Sequence, residues 1–142
     1  MRCSRRVPIV LAAAFLGGML LCGCSEDDED GPAPANCLRE PPVYGTLKVS
    51  VTIDGRYPSV PVLIYEDNWE QGHEVLCDTL VAEREAYLLR ADRYYSVLAL
   101  YIQNGDTLGV LDGDKIEIES TEYTDATCYD VEDGDVDVRL PD

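Results

Sequence analysis

Residues 94–103 read YYSVLALYIQ, and this run of strand-forming residues decides the fold. Side chains alternate between the two faces of a strand, so Tyr95, Val97, Ala99 and Tyr101 share one face. The other face carries Tyr94, Ser96 and three aliphatic residues, Leu98, Leu100 and Ile102. Because both sets are largely apolar, we expect both faces to be buried and the strand to be central in its sheet.

Shorter runs with the same period lie on both sides of this stretch. They cover residues 44–54, 60–65, 74–80, 85–91, 107–111, 115–119 and 136–140. Asp54-Gly55, Asn104-Gly105 and Asp112-Gly113 are turn signals between them. Residues 80–89 also fit a short helix, but they lack a cap and a long amphipathic stripe. The pattern predicts an all-β protein with a single antiparallel β-sandwich of about seven strands.

Three segments within this pattern resemble the transthyretin-like sandwiches, a group that includes carboxypeptidase regulatory-like and collagen-adhesin B-type repeats. They are GTLKV at 45–49, VLIY at 62–65 and RYYSV at 93–97. Members begin the last of these strands with Gly-x-Tyr, whereas Asp92-Arg93 precedes the tyrosines here. The resemblance spans about residues 44–140 and implies a transthyretin-like or immunoglobulin-like fold. It implies no activity, because the chain lacks the C-terminal Tyr-Arg-Gly-Ser motif of the family's purine-ureide hydrolase.

The N-terminus has the pattern of a secretory signal. Arg2, Arg5 and Arg6 precede an apolar run over residues 7–21, which is short for a membrane span of roughly 20 residues. The run ends in Leu21-Cys22-Gly23-Cys24, which resembles the lipobox of bacterial lipoproteins. The resemblance implies cleavage after residue 23 and lipidation of Cys24, which would anchor the protein permanently to a membrane.

Two tether-like segments follow Cys24. Residues 25–30 read SEDDED, which resembles the surface-export signal of lipoproteins in the Bacteroidetes-type envelope; a solvated spacer is the alternative interpretation. Residues 31–42 hold four of the eight prolines and read as a stiff linker. We therefore divide the chain into a signal peptide (1–23), a lipidated tether (24–42) and a β-sandwich domain (43–142). The expected location is the outer membrane, on the cell surface.

Charge excludes one class of partner. The chain carries a formal net charge of −17, and removing residues 1–23 takes away three basic residues and no acidic one, leaving −20. Such a field repels nucleic acid and anionic lipid. The remaining expected partners are the membrane, through the lipid, and a protein or glycan of the envelope.

Cys37, Cys77 and Cys128 are the cysteines of the predicted tether and domain. An oxidising envelope allows one disulfide among them, and three pairings are possible. We favour Cys37–Cys128, because both lie in loop or strand-edge contexts. Cys77 then behaves as a buried free thiol.

The sequence offers little support for catalysis. His73, the only histidine, and Cys77 would share a strand face about 13 Å apart, too far for a nucleophile and base without a bulge or turn. The acids at 130–137 do not match a calcium-binding loop, and a solvated strand face explains them. We expect no cofactor, no metal and no enzymatic activity.

Trp69, the only tryptophan, lies in a polar loop. It is either a ligand anchor, with Tyr57 and Tyr123 as possible neighbours, or a cap on the sandwich core, which we favour. Tyr94 and Tyr95 are expected in the core. The sequence thus predicts a non-enzymatic accessory or structural module of a surface assembly, with edge-strand pairing as its contact. A glycan-binding module is the alternative, and an enzyme is a distant third.

Overall fold

Two β-sheets pack face to face in the computed structural model, which describes residues 31–141. The predicted signal peptide, Cys24 and the acidic run to residue 30 lie outside the described residues. Eight strands make the two sheets: β1 Tyr44–Ser50, β2 Val60–Glu66, β3 His73–Leu80, β4 Arg84–Arg90, β5 Arg93–Gln103, β6 Asp106–Glu122, β7 Thr127–Glu132 and β8 Gly134–Asp137. The predicted fold class, an all-β sandwich, is confirmed.

The larger sheet has the order β3-β2-β5-β6-β7, and all its neighbouring strands are antiparallel. β5 is its middle strand, as predicted. The smaller sheet has the order β4-β1-β8, in which β1 and β8 run parallel. A sandwich with one parallel pair therefore replaces the purely antiparallel one that we expected.

The core lies between the sheets and is mainly aliphatic. Strands β1, β2, β5 and β8 contribute alternate residues, and the fully buried ones include Leu47, Val49, Val62, Ile64, Val97, Ile116, Val136 and Val138. Tyr95 and Tyr101 add buried rings from β5, whose outward face is only partly covered. The expectation that both faces of this strand are buried is therefore wrong.

The turn signals have three different outcomes. Asn104 and Gly105 join β5 to β6 with φ angles of 52° and 85°, as a two-residue hairpin requires. Asp54-Gly55 lies in a turn that carries the chain from the small sheet to the large one, since β1 and β2 do not pair. Asp112-Gly113 is not a turn, because β6 continues through it for 17 residues.

The segment that the sequence presents as a Pro-rich tether lies against the end of the β6–β7 hairpin. A disulfide joins Cys37 to Cys128, the pair that we favoured. Tyr129 N donates to Leu38 O, and Thr124 N donates to Gly31 O. Within residues 31–141 nothing forms a helix long and apolar enough to cross a membrane.

Candidate functional site

The outer face of the larger sheet carries an apolar patch. Leu98 on β5 pairs with Leu63 on β2 and with Leu111 on β6, so three leucines lie side by side. Leu100 and Ile102 continue the row along β5. Ile102 is 58% exposed and Leu111 45% exposed, whereas the other three are half-buried by their neighbours. We call these five residues the apolar patch.

The outer face of the smaller sheet is polar instead. Lys48 forms an ion pair with Asp133 at 3.1 Å, and Arg84 Nε donates to Ser50 Oγ. The lysine contact holds the pKa of Asp133 below its usual range, and Arg139 does the same for Asp137. The sandwich thus has one ordinary solvated face and one apolar face.

Acidic residues avoid the apolar face. In the described chain, Asp and Glu are absent from the outward positions of three strands. These positions are 61, 63 and 65 on β2, 94, 96, 98, 100 and 102 on β5, and 107, 109, 111, 113 and 115 on β6. Lys115 is the only charged residue among them. In a chain with 28 acidic residues, the centre of this face therefore holds no outward carboxylate, whereas Glu74 on β3 and Glu117 and Glu119 on the second part of β6 lie at its margins.

A groove of about 530 Å³ opens at one end of this face. We call it the Trp69–Tyr94 groove, and it is lined by Asn68, Trp69, Glu70, Tyr94, Ser96, Leu111, Asp112 and Gly113. Trp69 is 42% exposed and Tyr94 43% exposed. The favoured interpretation of Trp69 as a core cap is therefore wrong, and so is the placement of Tyr94 in the core.

Hydrogen bonds fix the loop that carries Trp69. Asp67, with φ of 68°, donates its N–H to Tyr94 O and accepts from the buried hydroxyl of Ser96. Farther along the loop, Gln71 N and Gly72 N both donate to Asn68 O. A side chain at Gly72 would collide with the backbone oxygen of Glu66, so the tight loop requires glycine there.

Tyr94 lies across Gly113 on the neighbouring strand. A Cβ atom at Gly113 would collide with the Tyr94 hydroxyl and would lie 2.8 Å from Tyr95 O. The glycine is thus required for close approach of the tyrosine ring, not for a turn. Asp112-Gly113 therefore has the composition of a hairpin turn although it lies within a strand.

The cations around the groove are paired with carboxylates. Lys115, opposite Tyr94 in the sheet, lies 3.1 Å from Asp92, and this hydrogen bond raises the pKa of the lysine. Arg93 lies 3.5 Å from Glu66. Farther along β6, the carboxylate of Asp112 accepts from the Asp137 N–H.

The three aromatic residues predicted as a ligand site lie in three different places. Tyr57 is 8% exposed, packs edge-on against Tyr101 at 5.2 Å and donates its hydroxyl to Gln103. Tyr101 lies seven positions along β5 from Tyr94, a distance of roughly 23 Å at about 3.3 Å per residue, so Tyr57 is far from the groove. Tyr123 lies in the β6–β7 turn, beside the disulfide. Only Trp69 of the three belongs to the groove.

His73 and Cys77 lie on opposite faces of β3. The register of β2 and β3 shifts between Ile64 and Tyr65, which leaves Val75 as an extra residue. His73 therefore pairs with Glu66, whereas Cys77 pairs with Leu63 on the outer face. The thiol of Cys77 is free but exposed, so the expectation of a buried thiol is wrong. Among the described residues no cluster of three or more His, Cys, Asp or Glu side chains could hold a metal ion.

Comparisons with known proteins give no relative. No protein-family model matches the chain, and neither a curated protein nor a solved structure is significantly similar to it.

Sequence reasoning missed most of this site. It did not assign Tyr94, Gly113 or the apolar patch to any function. One available signal was the glycine content of β6: Gly109 lies opposite Leu100, and Gly113 lies under the ring of Tyr94.

Proposed function

We propose that this protein is a non-enzymatic module of a bacterial surface assembly, held at the outer membrane by lipid on Cys24. In this proposal the apolar patch binds a protein partner of the envelope. The apolar patch is the observation that supports this proposal, because exposed contiguous apolar surface is typical of protein interfaces.

Charge indicates which surface a partner can approach. Elsewhere the chain presents carboxylates, whereas the outward positions of the central strands hold leucine and isoleucine. Desolvating carboxylates at an interface is unfavourable unless each meets a partner, and burying leucines is favourable. The partner that fits is a protein with a flat, uncharged apolar surface.

Edge-strand pairing, the contact predicted from the sequence, is restricted to one side of the sandwich. Leu38 and the disulfide cover the outer edge of β7, and the carboxylates of Asp112 and Asp114 accept the outward N–H groups of β8. The edges of β3 and β4 have no strand partner among the described residues. Pairing at β4 is thus the competing mode of contact.

The proposed anchor leaves the patch accessible. Gly31 is bonded to the β6–β7 turn, and the seven residues from Cys24 to Gly31 span at most roughly 25 Å. β6 runs from the Asn104-Gly105 turn toward that anchored end. The Ile102 end of the patch therefore lies at the end of the sandwich opposite Gly31, from which the proposed tether leaves.

Replacing Cys24 with Ser tests the anchor. We expect the protein to move from the membrane pellet to the soluble fraction, because the thiol that carries the lipid is gone. Cys77→Ser is the matched control and should leave the protein in the pellet. Unchanged pelleting of Cys24→Ser would refute the lipoprotein assignment.

Crosslinking on intact cells tests the docking surface. A glutamate buried in an apolar interface has no counter-charge, so Ile102→Glu should reduce the yield of the crosslinked complex by about tenfold or more. Leu88→Glu is the control, since Leu88 is 73% exposed on the outer face of β4. Loss with Leu88→Glu alone would instead assign the contact to the β4 edge, and equal yields from both variants would overturn docking at the patch.

A further inference from the structure

The Trp69–Tyr94 groove has features that folding does not explain. Trp69 and Tyr94 are each more than two-fifths exposed, although both could bury large apolar areas in a core. Gly113 provides the space that the Tyr94 ring occupies on the sheet surface. With a glycine there and a hydrogen-bonded loop at Trp69, two exposed rings line the same groove.

Hydrogen bonds fix the backbone segments that carry the two rings before any ligand arrives. Tyr94 is on the central strand of its sheet, and its carbonyl accepts the N–H of Asp67 from the Trp69 loop. Ser96 is 4% exposed, and its hydroxyl donates to the carbonyl of Asp67. A preorganised aromatic surface loses little conformational entropy on binding.

The charges at the groove disfavour an anionic ligand. Lys115 and Arg93 are engaged with Asp92 and Glu66. An anionic ligand would therefore meet the net charge of −17 with these nearby cations already paired. Asn68 and Glu70 add exposed polar groups of the kind that exchange hydrogen bonds with hydroxyls.

The open shape of the groove favours a ligand that is one unit of a longer polymer. The volume of about 530 Å³ is within the range of small-molecule sites, but the groove lies open on the sheet surface. An open site with aromatic walls suits a ring that has one apolar face, equatorial hydroxyls and neighbours on both sides. A pyranose within a glycan has this form.

We infer that the Trp69–Tyr94 groove binds an uncharged glycan by stacking a pyranose ring on Trp69 and Tyr94. Hydroxyls of the sugar exchange hydrogen bonds with Asn68 and Glu70. The groove shares Leu111 with the apolar patch, but Leu100 and Ile102 lie toward the other end of the same face, so a change at Ile102 tests the docking mode without touching the groove.

Affinity electrophoresis of the full-length protein in detergent tests the inference. The gels contain amylopectin, galactomannan or mixed-linkage β-glucan as neutral probes, and polygalacturonate as the anionic counterpart. We expect at least one neutral probe to retard the wild-type protein and polygalacturonate not to. The emission of Trp69 is a second readout, since it is the only tryptophan.

Matched variants assign the binding to the groove. Trp69→Ala and Tyr94→Ala should each weaken binding by roughly tenfold or more, as truncation of central aromatic anchors does. Tyr44→Ala removes an aromatic ring that is 53% exposed in the other sheet, and Ile102→Glu changes the docking patch; both should bind as wild type does. If Ile102→Glu lost crosslinking to the protein partner but still bound glycan, glycan binding at the groove would stand independently of the proposed docking.

Three results would overturn the inference. One is an absence of retardation by all three neutral probes, and another is undiminished binding by Trp69→Ala. The third is a shift of Trp69 emission by a lysine-rich peptide and by none of the glycans, which would assign the groove to a basic protein segment.

Discussion

Replacing Cys37 and Cys128 together with Ser should lower the free energy of unfolding by roughly 2–4 kcal/mol. The bridge closes a loop with a sequence separation of 91 residues, which contains nearly the whole sandwich. Long closed loops restrict the unfolded chain strongly, and the restriction is lost when the bridge is removed. Thermal unfolding followed by circular dichroism should show a fall in Tm of roughly 10–15 °C.

Cys77→Ser is the control for this double variant. Cys77 is exposed and free, so its replacement should change the unfolding free energy by less than about 0.5 kcal/mol. A reductant should lower the Tm of the wild-type protein to that of the double variant, and should not affect the double variant itself.

Thiol labelling gives an independent check of the pairing. In the unfolded, unreduced protein, peptide mapping should find label on Cys77 and none on Cys37 or Cys128. Label on all three cysteines, or equal stability of the double variant and the wild-type protein, would show that the bridge does not form.

The strands and their inward faces could be predicted because period-two alternation is a local property of the sequence. Leu47, Val49 and Val51 are all fully buried, and Asn104-Gly105 makes the expected hairpin. Both results depend only on neighbouring residues and backbone preference. The pairing of Cys37 with Cys128 was also favoured, because loop and strand-edge positions can be inferred from the sequence.

Features that depend on contacts between distant residues could not be predicted. The extra residue Val75 places His73 and Cys77 on opposite faces, and only the pairing of β3 with β2 reveals it. Gly113 looks like a turn residue until Tyr94 is found across it. Alternation likewise does not tell which apolar face meets the other sheet, so the outward leucines of β5 were assigned to the core.

The ligand site was predicted only in part for the same reason. Trp69 was singled out because a tryptophan in a polar loop is unusual, but its neighbours come from β5 and β6 and not from nearby sequence. Tyr57 is named from the sequence only as a possible neighbour of Trp69, and the structure places it against Tyr101 in the core. The residue type of Trp69 indicated one member of the groove, whereas the pairing of β5 with β6 brings the other lining residues to it.

Tyr101→Phe should destabilise the protein by roughly 2–4 kcal/mol, although it removes only one oxygen atom. Tyr101 is 1% exposed, and its hydroxyl donates to Val138 O at 2.7 Å and accepts from Thr52 N at 2.9 Å. This hydroxyl connects β5 of the large sheet to the segments that follow β1 and β8 in the small sheet. Phenylalanine fills the same space, so the loss measures the two hydrogen bonds and not a cavity.

The size of the effect follows from the groups that remain. Without the hydroxyl, the carbonyl of Val138 and the N–H of Thr52 each lose a partner at a largely buried site, and an unsatisfied buried group costs roughly 1–3 kcal/mol. Tyr44→Phe is the control, because Tyr44 is 53% exposed and its hydroxyl can bond to water in either state. Urea unfolding should give a lower midpoint with an unchanged slope for Tyr101→Phe, and no change for Tyr44→Phe. Equal midpoints for the two variants would mean that the hydroxyl of Tyr101 does not hold the sheets together, and that the aliphatic core alone determines their packing.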